Sequence, residues 1–386
     1  MAICENRKLE NLYLGIDTSC YTTSVALLND AGKLVGEARQ ILSVKPGRCG
    51  LQQSEMVFQH TRNLPRLMEE AIGQVLENGV RTTSEGYDAS VSNDVQGLVG
   101  LATAGYRLAA IGVSGYPRPL EGSYMPAFLA GMSVARSLAA VTGARLEVLS
   151  HQENHLEAGL WSAGCYEKIG ARFLLLHASG GTTDVLLAER EDSGRYKITE
   201  VGGSIDLHAG QFVDRIGVAL GLQFPTGPAL ERLANEALAK VSAASESEAG
   251  AKAEAQSVSA LSFADVMVEL PVSVRKLQVS LSGPCTAALR KLEAGAEPAA
   301  LALGVEYALA ETFARVLRNG AQEYGVRDVL LVGGVGSNSF IRQHVEAKLA
   351  KLRRPVRLWV PEGRFSCDNA TGCAAYAWRM NKLALI

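Results

Sequence analysis

One strand–turn–strand pattern occurs twice in this chain, about 160 residues apart, and it constrains the fold more than anything else in the sequence. Leu12 to Asp17 is a short apolar run, Thr18-Ser19-Cys20-Tyr21 is a polar bend, and Thr22 to Leu28 is a second apolar run. Phe173 to His177, Ser179-Gly180-Gly181 and Thr182 to Ala188 repeat the arrangement. Apolar runs of this length bounded by turn residues read as buried strands. Thr22-Thr23-Ser24-Val25-Ala26-Leu27-Leu28 and Thr182-Thr183-Asp184-Val185-Leu186-Leu187 follow the same polar-then-branched order. A repeated hairpin implies two lobes with one core topology. The 386 residues are enough to give each lobe its own core.

Lys33 to Ala38 is a third strand after the turn Asn29-Asp30-Ala31-Gly32. Residues 53–77 have helical periodicity, with Val57, Leu64, Leu67, Met68, Ile72 and Val75 on one side. Leu108 to Val113 is a buried strand, and Met125 to Thr142 is a helix closed by Gly143. Leu301 to Tyr324 is a long amphipathic helix, and Val329 to Val332 is a strand running into Gly333-Gly334-Val335-Gly336-Ser337-Asn338. The expected division is an N-terminal lobe over residues 11–150 and a second lobe over 151–368. A final helix, 369–383, packs back on the first lobe. Residues 240–260 are Ala, Ser, Glu and Lys without an apolar stripe and read as a mobile surface insertion.

The formal net charge is -2, and chains that grip nucleic acid unaided carry a marked basic excess. Any RNA contact is therefore a local patch or is supplied by a partner. The seven cysteines are scattered with no Cys-x-x-Cys, which points to free thiols in a reducing compartment. The polar N-terminus lacks a signal-peptide core. The longest apolar stretch, Ala127 to Val141, is broken by Arg136 and is too short to span a bilayer. The expectation is a cytoplasmic protein without membrane contact.

His151 and His155 stand four apart in Ser-His-Gln-Glu-Asn-His, on one face of a helix and within reach of one metal ion. Asp368, in Ser-Cys-Asp-Asn, can complete a two-histidine, one-carboxylate set suited to Fe(II) and usable by Zn(II). By spacing alone Glu153 and Glu157 compete for the third position. The polar residues Gln152, Glu153 and Asn154 between the histidines suggest an exposed cleft. The pair is not a HExxH protease motif, because Gln152 follows the first histidine.

Two glycine loops follow strands. Ser179 to Asp184 can converge backbone amides on an anion, and Gly333 to Asn338 leads into a helix over Ser339 to Leu349, whose N-terminus favours phosphate. Neither loop is a Walker loop or a GxGxxG fingerprint. Asp214, on a helix beginning near Leu207, can accept ribose hydroxyls or pair with a neighbouring base. Phe224-Pro225-Thr226-Gly227-Pro228 is a rigid turn.

Taken in order from about Leu14 to Trp378, these segments resemble the TsaD/Kae/YgjD family, once called O-sialoglycoprotein endopeptidases. Asp17 to Thr23 matches its opening Glu-Thr-Ser-Cys-Asp-Glu-Thr, and Ser179 to Thr183 matches its Ser-Gly-Gly-His-Thr. Asp206 to Arg215 matches its Asp-Asp-Ala-Ala-Gly-Glu-Ala-Phe-Asp-Lys. Pro225 to Pro228, Gly333 to Asn338 and Ser366 to Asn369 match its Pro-Gly-Gly-Pro, Gly-Gly-Val-x-x-Asn and Cys-Thr-Asp-Asn.

The resemblance implies an α/β, two-lobed actin/hexokinase/Hsp70-like (ASKHA) fold with a duplicated core, and ligand bound between the lobes. It implies transfer of a threonylcarbamoyl group from threonylcarbamoyl-adenylate to tRNA adenosine. It assigns His151, His155 and Asp368 to one divalent metal. An adenylate or ATP falls to His177, Ala178, Ser179, Gly180, Gly181, Asp214, Gly227 and Asn338. Asp17 and Tyr21 are the candidate catalytic positions. The implied partners are a threonylcarbamoyl-adenylate synthase and other tRNA-modification subunits, which can also carry the tRNA.

The chain departs from the family at Tyr21, where an acidic residue is usual, at Thr182 in place of histidine, and at Leu207 and His208. The family's Gly-Pro-Gly-Leu has become Tyr116-Pro117-Arg118-Pro119-Leu120. A phenol does not supply a carboxylate's charge at neutral pH. These changes suggest a divergent paralog. They keep two alternatives in view: a non-catalytic nucleotide-binding partner of a true transferase, and a carbamoyltransferase acting on a small molecule.

Overall fold

The computed structural model describes residues 9–44, 51–82, 98–250 and 266–385. The chain forms two compact units. The first comprises Met1–Gly164, Glu191–Tyr196 and Cys367–Ile386, and the second Cys165–Arg190 and Lys197–Ser366. The sequence reading ends its first lobe at residue 150; the first unit runs on to Gly164 and so contains the histidine pair.

The first unit holds strands β1 (Glu10–Asp17), β2 (Thr22–Asn29), β3 (Leu34–Ile41), β4 (Tyr106–Tyr116) and β5 (Arg145–Ser150), in the order β3-β2-β1-β4-β5. β1 pairs antiparallel with β2 and parallel with β4. Its helices are α1 (Gln53–Thr82), α2 (Leu98–Thr103), α3 (Phe128–Thr142), α4 (His151–Ser162) and, from the far end of the chain, α11 (Thr371–Leu383). The period-two alternation of a strand sends residues to both faces of this sheet, and both are apolar. Leu12, Leu14 and Ile16 face a cluster with Leu64, Leu67 and Ile72 of α1 and Ala135 of α3. Tyr13, Ala26, Leu28 and Ala110 face Ala370, Ala374 and Ala377.

The second face is lined by small residues because α11 lies almost on the strands. A Cβ at Gly15 would stand 2.1 Å from Ala370 O, and one at Gly112 would stand 1.9 Å from Cys373 O. Helix α3 stops at Gly143, whose φ of 71° is the left-handed cap that favours glycine.

The second unit holds β6 (Arg172–Ala178), β7 (Thr183–Arg190), β8 (Tyr196–Ser204), β9 (Ser273–Arg275), β10 (Gln278–Ser280), β11 (Asp328–Val332) and β12 (Arg357–Trp359), in the order β12-β11-β6-β7-β8-β10-β9. Its helices are α5 (Ala209–Ala219), α6 (Gly227–Gly250), α7 (Ser282–Glu293), α8 (Pro298–Tyr324), α9 (Ser339–Ala350) and the short α10 (Gly363–Ser366). β6 is antiparallel to β7 and parallel to β11, which is parallel to β12. The stretch β8-β7-β6-β11-β12 thus repeats β3-β2-β1-β4-β5 in order, and the core topology is duplicated. α8 is buried along most of its length, with Leu303, Leu309, Phe313 and Leu317 in the core.

Part of the segment read as a mobile insertion, 240–260, is helical: α6 continues through it to Gly250. Alanine-rich sequence sustains a helix without an apolar stripe. Residues 251–260 lie outside the described residues.

Candidate metal centre and nucleotide loops

Helix α4 opens at the end of β5, so its first residue, His151, sits where a strand turns into a helix. Ser150 caps it: Ser150 Oγ accepts from Glu153 N at 3.1 Å, and Ser150 N donates to Glu153 Oε2 at 2.7 Å. That capping box occupies Glu153. Glu157 is occupied by Arg379, whose Nε donates to Glu157 Oε2 at 3.2 Å. Neither glutamate is therefore turned to the histidines, and the spacing argument for them gives way to local capping and ion pairing.

The polar stretch between the histidines is not an exposed cleft. Gln152, Asn154 and His155 are all buried, and Asn154 Nδ2 donates to Asn369 O at 2.8 Å. Gly372 of α11 packs so close that a Cβ there would lie 2.0 Å from Asn154 O. The polarity serves contact between helices, a use that single-sequence reading cannot separate from solvent.

This packing brings Asp368 to the histidine pair. Asp368 Oδ1 lies 3.6 Å from His151 Nε2 and 3.4 Å from His155 Nε2, and the two Nε2 atoms are 3.2 Å apart. Burial lowers the pKa of both imidazoles, and for His155 the charge of His151 adds to the effect. Two neutral rings that aim ring nitrogens at one point beside a carboxylate suit a cation there. The other nitrogen of His151, Nδ1, is buried with no hydrogen-bond partner. A carboxylate that supports a ligating histidine accepts its free N–H; Asp17 Oδ2 stands behind the ring at 3.9 Å, beyond hydrogen-bond distance.

Asp17, a candidate catalytic residue, is fully buried at the end of β1. Its carboxylate accepts from Ser19 N at 3.2 Å, from Ser19 Oγ at 3.0 Å and from Ser114 Oγ. Burial first, and then the charge of Asp368, pushes its pKa up to about 6. Tyr21, the other candidate of this loop, is 42% exposed.

Two further residues near this site, Cys20 and His60, are not among the candidate site residues of the sequence. Cys20 Sγ lies 3.7 Å from His151 Nε2. His60 of α1 is buried, with Nδ1 2.8 Å from Thr23 Oγ1 and Nε2 3.1 Å from the Cys20 carbonyl. Because a carbonyl only accepts, Nε2 carries the proton. Burial lowers the His60 pKa to about 4, so the ring is neutral and holds the backbone of Cys20 in place. Cys20 had one clue, its place in the loop between the first two strands; His60 had none.

In the second unit, β6 and β7 are joined by Ser179 to Thr182, with Ser179 N donating to Thr182 O at 2.8 Å. The start of α5 packs against this turn. Gly210 N donates to Ser179 O at 3.0 Å, and a Cβ at Gly210 would lie 2.6 Å from Gly180 N. Gly180 and Gly181 are exposed, while His177 and Ala178 are buried in the ladder opposite Asp184 and Thr183. The part of this loop open to a ligand is Ser179 to Gly181.

Asp214 Oδ1 accepts from Thr226 N at 2.9 Å and from Thr226 Oγ1 at 3.1 Å, fixing the turn that leads into Gly227. A Cβ at Gly227 would meet open space. Asn338 caps α9: its Oδ1 accepts from Ile341 N at 2.9 Å, and its Nδ2 donates to Glu306 Oε1 at 2.7 Å. Both ends of that amide are spent inside the protein. Glu306 is a buried carboxyl that burial pushes up to about 8, and its Oε2 has no hydrogen-bond partner.

A sequence profile of the TsaD family, described as tRNA N6-adenosine threonylcarbamoyltransferase, matches residues 122–375, well over half of the chain. A tRNA N6-adenosine threonylcarbamoyltransferase from Thermus thermophilus is 28% identical over 372 residues, covering 96% of this chain and 93% of that protein. The protein of the same name from Ralstonia pickettii is 28% identical over 360 residues, covering 93% and 88%. Among solved structures, HypF of T. kodakarensis superposes with a TM-score of 0.52 at 14% identity, covering 98% of this chain and 48% of HypF. That likeness bears on fold alone and agrees with the duplicated actin/hexokinase/Hsp70-like core. With profile, relatives and motif order in agreement over most of its length, the chain belongs to the TsaD family, the tRNA N6-adenosine threonylcarbamoyltransferases.

Proposed function

We propose that this protein transfers a threonylcarbamoyl group from threonylcarbamoyl-adenylate to the exocyclic amine of a tRNA adenosine. One divalent ion, Fe(II) or Zn(II), is held by His151, His155 and Asp368. The observation that carries the reading is the convergence of two imidazole nitrogens and one carboxylate oxygen within 3.2–3.6 Å of one another, in a chain of this family.

The donor is a mixed anhydride and already activated, so the protein has no nucleophile to build. The amine nitrogen attacks the carbamoyl carbon, the carbon–oxygen bond to phosphate breaks, AMP leaves with the electron pair, and the amine gives up one proton. When bound, the ion supplies Lewis-acid polarisation. What remains for the chain is to bind and orient. The amides of Gly180 and Gly181, packed beside the start of α5, suit the phosphate, and Ser179, whose amide is spent on Thr182 O, can offer its hydroxyl. Asp214 Oδ2, which does not hold Thr226, suits a ribose hydroxyl, and Gly227 leaves room for close approach. His177 and Ala178 shape the strand end below the loop. Asn338 contributes through its backbone and the helix it caps, since its side chain is already used.

Asp17 lies behind His151 and adds negative charge beside the ion. Tyr21 offers the acceptor a phenol hydroxyl in place of a charge. With a net charge of -2, RNA contact is shared with other tRNA-modification subunits, and a threonylcarbamoyl-adenylate synthase supplies the donor. No helix among the described residues is long and apolar enough to cross a membrane, and the scattered thiols suit a cytoplasmic site of action.

The test is modified-nucleoside analysis of unmodified tRNA incubated with the purified protein, the synthase, threonine, bicarbonate and ATP. Threonylcarbamoyladenosine should appear, and His151→Ala should abolish it together with bound metal. If wild-type protein binds metal and nucleotide yet forms no product, the transferase reading is lost.

A further inference from the structure

The bend between β1 and β2 passes beside the centre: Cys20 Sγ is 3.7 Å from His151 Nε2, and the next residue, Tyr21, is 42% exposed. Every residue of the bend is fastened. Thr18 Oγ1 donates to Ala127 O at 3.1 Å and accepts from Gly131 N at 3.1 Å. Ser19 donates to Asp17 through both its amide and its hydroxyl. Tyr21 O accepts from Leu42 N at 2.7 Å. The Cys20 carbonyl is held by His60 Nε2 at 3.1 Å.

His60 reaches the bend from α1 and is fully buried. The ring lies in a relay whose proton positions follow from one end. A carbonyl only accepts, so Nε2 carries the proton and the neutral ring accepts at Nδ1. Thr23 Oγ1, 2.8 Å from Nδ1, is then the donor. That hydroxyl accepts in turn from Asn63 Nδ2 at 3.2 Å. Hydrogen bonds therefore run one way, from Asn63 through Thr23 and His60 to Cys20. Burying these polar groups costs free energy that an apolar side chain on α1 would not incur, and hydrogen bonding returns little net stability. What the relay fixes is one peptide. The Cys20 carbonyl and the Tyr21 amide lie in a single rigid plane, so holding the carbonyl sets the direction in which Tyr21 leaves it.

We propose that His60 is a positioning residue for Tyr21: it fixes the Cys20–Tyr21 peptide plane and so sets where the phenol meets the acceptor adenosine. This rests on the transferase reading above and deepens it. His60 keeps its proton throughout, and no bond is made or broken at the ring.

The test is a double-mutant cycle in the threonylcarbamoylation assay, with kcat, KM for tRNA and bound metal measured on each variant. His60→Leu should lower kcat by about ten- to a hundred-fold, while KM and metal content stay within about two-fold of wild type. His60→Gln, which can return an N–H to the Cys20 carbonyl, should recover most of that loss. In a Tyr21→Ala background, which should itself be slowed about ten-fold or more, His60→Leu should cost no more than about two-fold further, because the side chain it positions is gone. Losses that simply multiply overturn the proposal. A kcat that falls in step with metal content overturns it too, since His60 then serves the centre and not Tyr21. Tyr21→Ala with an unchanged rate leaves nothing to position and has the same force. Thr23→Val breaks the relay one step further out and carries the same cycle if His60→Leu does not fold. Wild-type protein that forms no product removes the transferase reading and this assignment with it.

Discussion

At the scale of single residues, the chain places ionisable groups where water cannot reach them. Glu306 shows the cost. An unfolded chain loses this proton near the ordinary carboxylate value, whereas the folded protein keeps it until about 8. Between those values the folded state binds more protons, so stability falls as pH rises through that window. Glu306→Gln keeps the shape and removes the titration. The variant should match wild type near the lower edge of the window and exceed it by several kcal/mol, on the order of 5, above the upper edge. Urea denaturation at the two ends of the window measures this; parallel pH profiles would show that Glu306 is not the buried acid it is taken to be. Such residues were only partly legible. The histidine pair and Asp368 stood out because imidazoles are few and their spacing is helical. Cys20, His60 and Glu306 did not, because a cysteine, a histidine or a glutamate says nothing by itself about what lies across from it.

At the scale of elements, the site depends on how closely α11 can lie on the first sheet. Gly112 sits where a methyl group would collide with the Cys373 carbonyl. Gly112→Ala should therefore lift the helix, cost about 3 kcal/mol, and reduce metal content, because Asp368 and Asn369 enter that helix. Denaturant titration and elemental analysis on one preparation check both halves, and an unaltered metal content would uncouple the helix seat from the centre. Ser150→Ala removes one arm of the capping box and should cost about 1 kcal/mol, read the same way.

The strands were readable as unbroken apolar runs and the long helices from their apolar period. β1, β2, β6, β7, α1 and α8 lie close to where those runs and the helical spacing put them. β8, whose burial is mixed, and the short β9 and β10 gave no such period. The capping of α4 by Glu153 was also hidden. A glutamate three residues after a serine fits a capping box and a ligand set equally well until the fold decides.

At the scale of the whole molecule, each unit has its own hydrophobic cluster, and the proposed ion belongs entirely to the first. A ligand that binds only the folded state stabilises by about 2.7 kcal/mol at one hundred times its dissociation constant. Calorimetry should accordingly show one transition that moves down on chelation and one that does not; equal shifts in both would show that the ion stabilises more than the first unit. The same layout has a consequence for synthesis. The strands of the first sheet leave the ribosome early, yet the helix that covers their small-residue face comes only after Cys165–Ser366 has been made. At about 5–20 residues per second that interval lasts roughly 10–40 seconds. Throughout it an apolar β-surface is bare and the proposed ion would have only part of its cage, so metal loading is expected only after translation has passed Asp368.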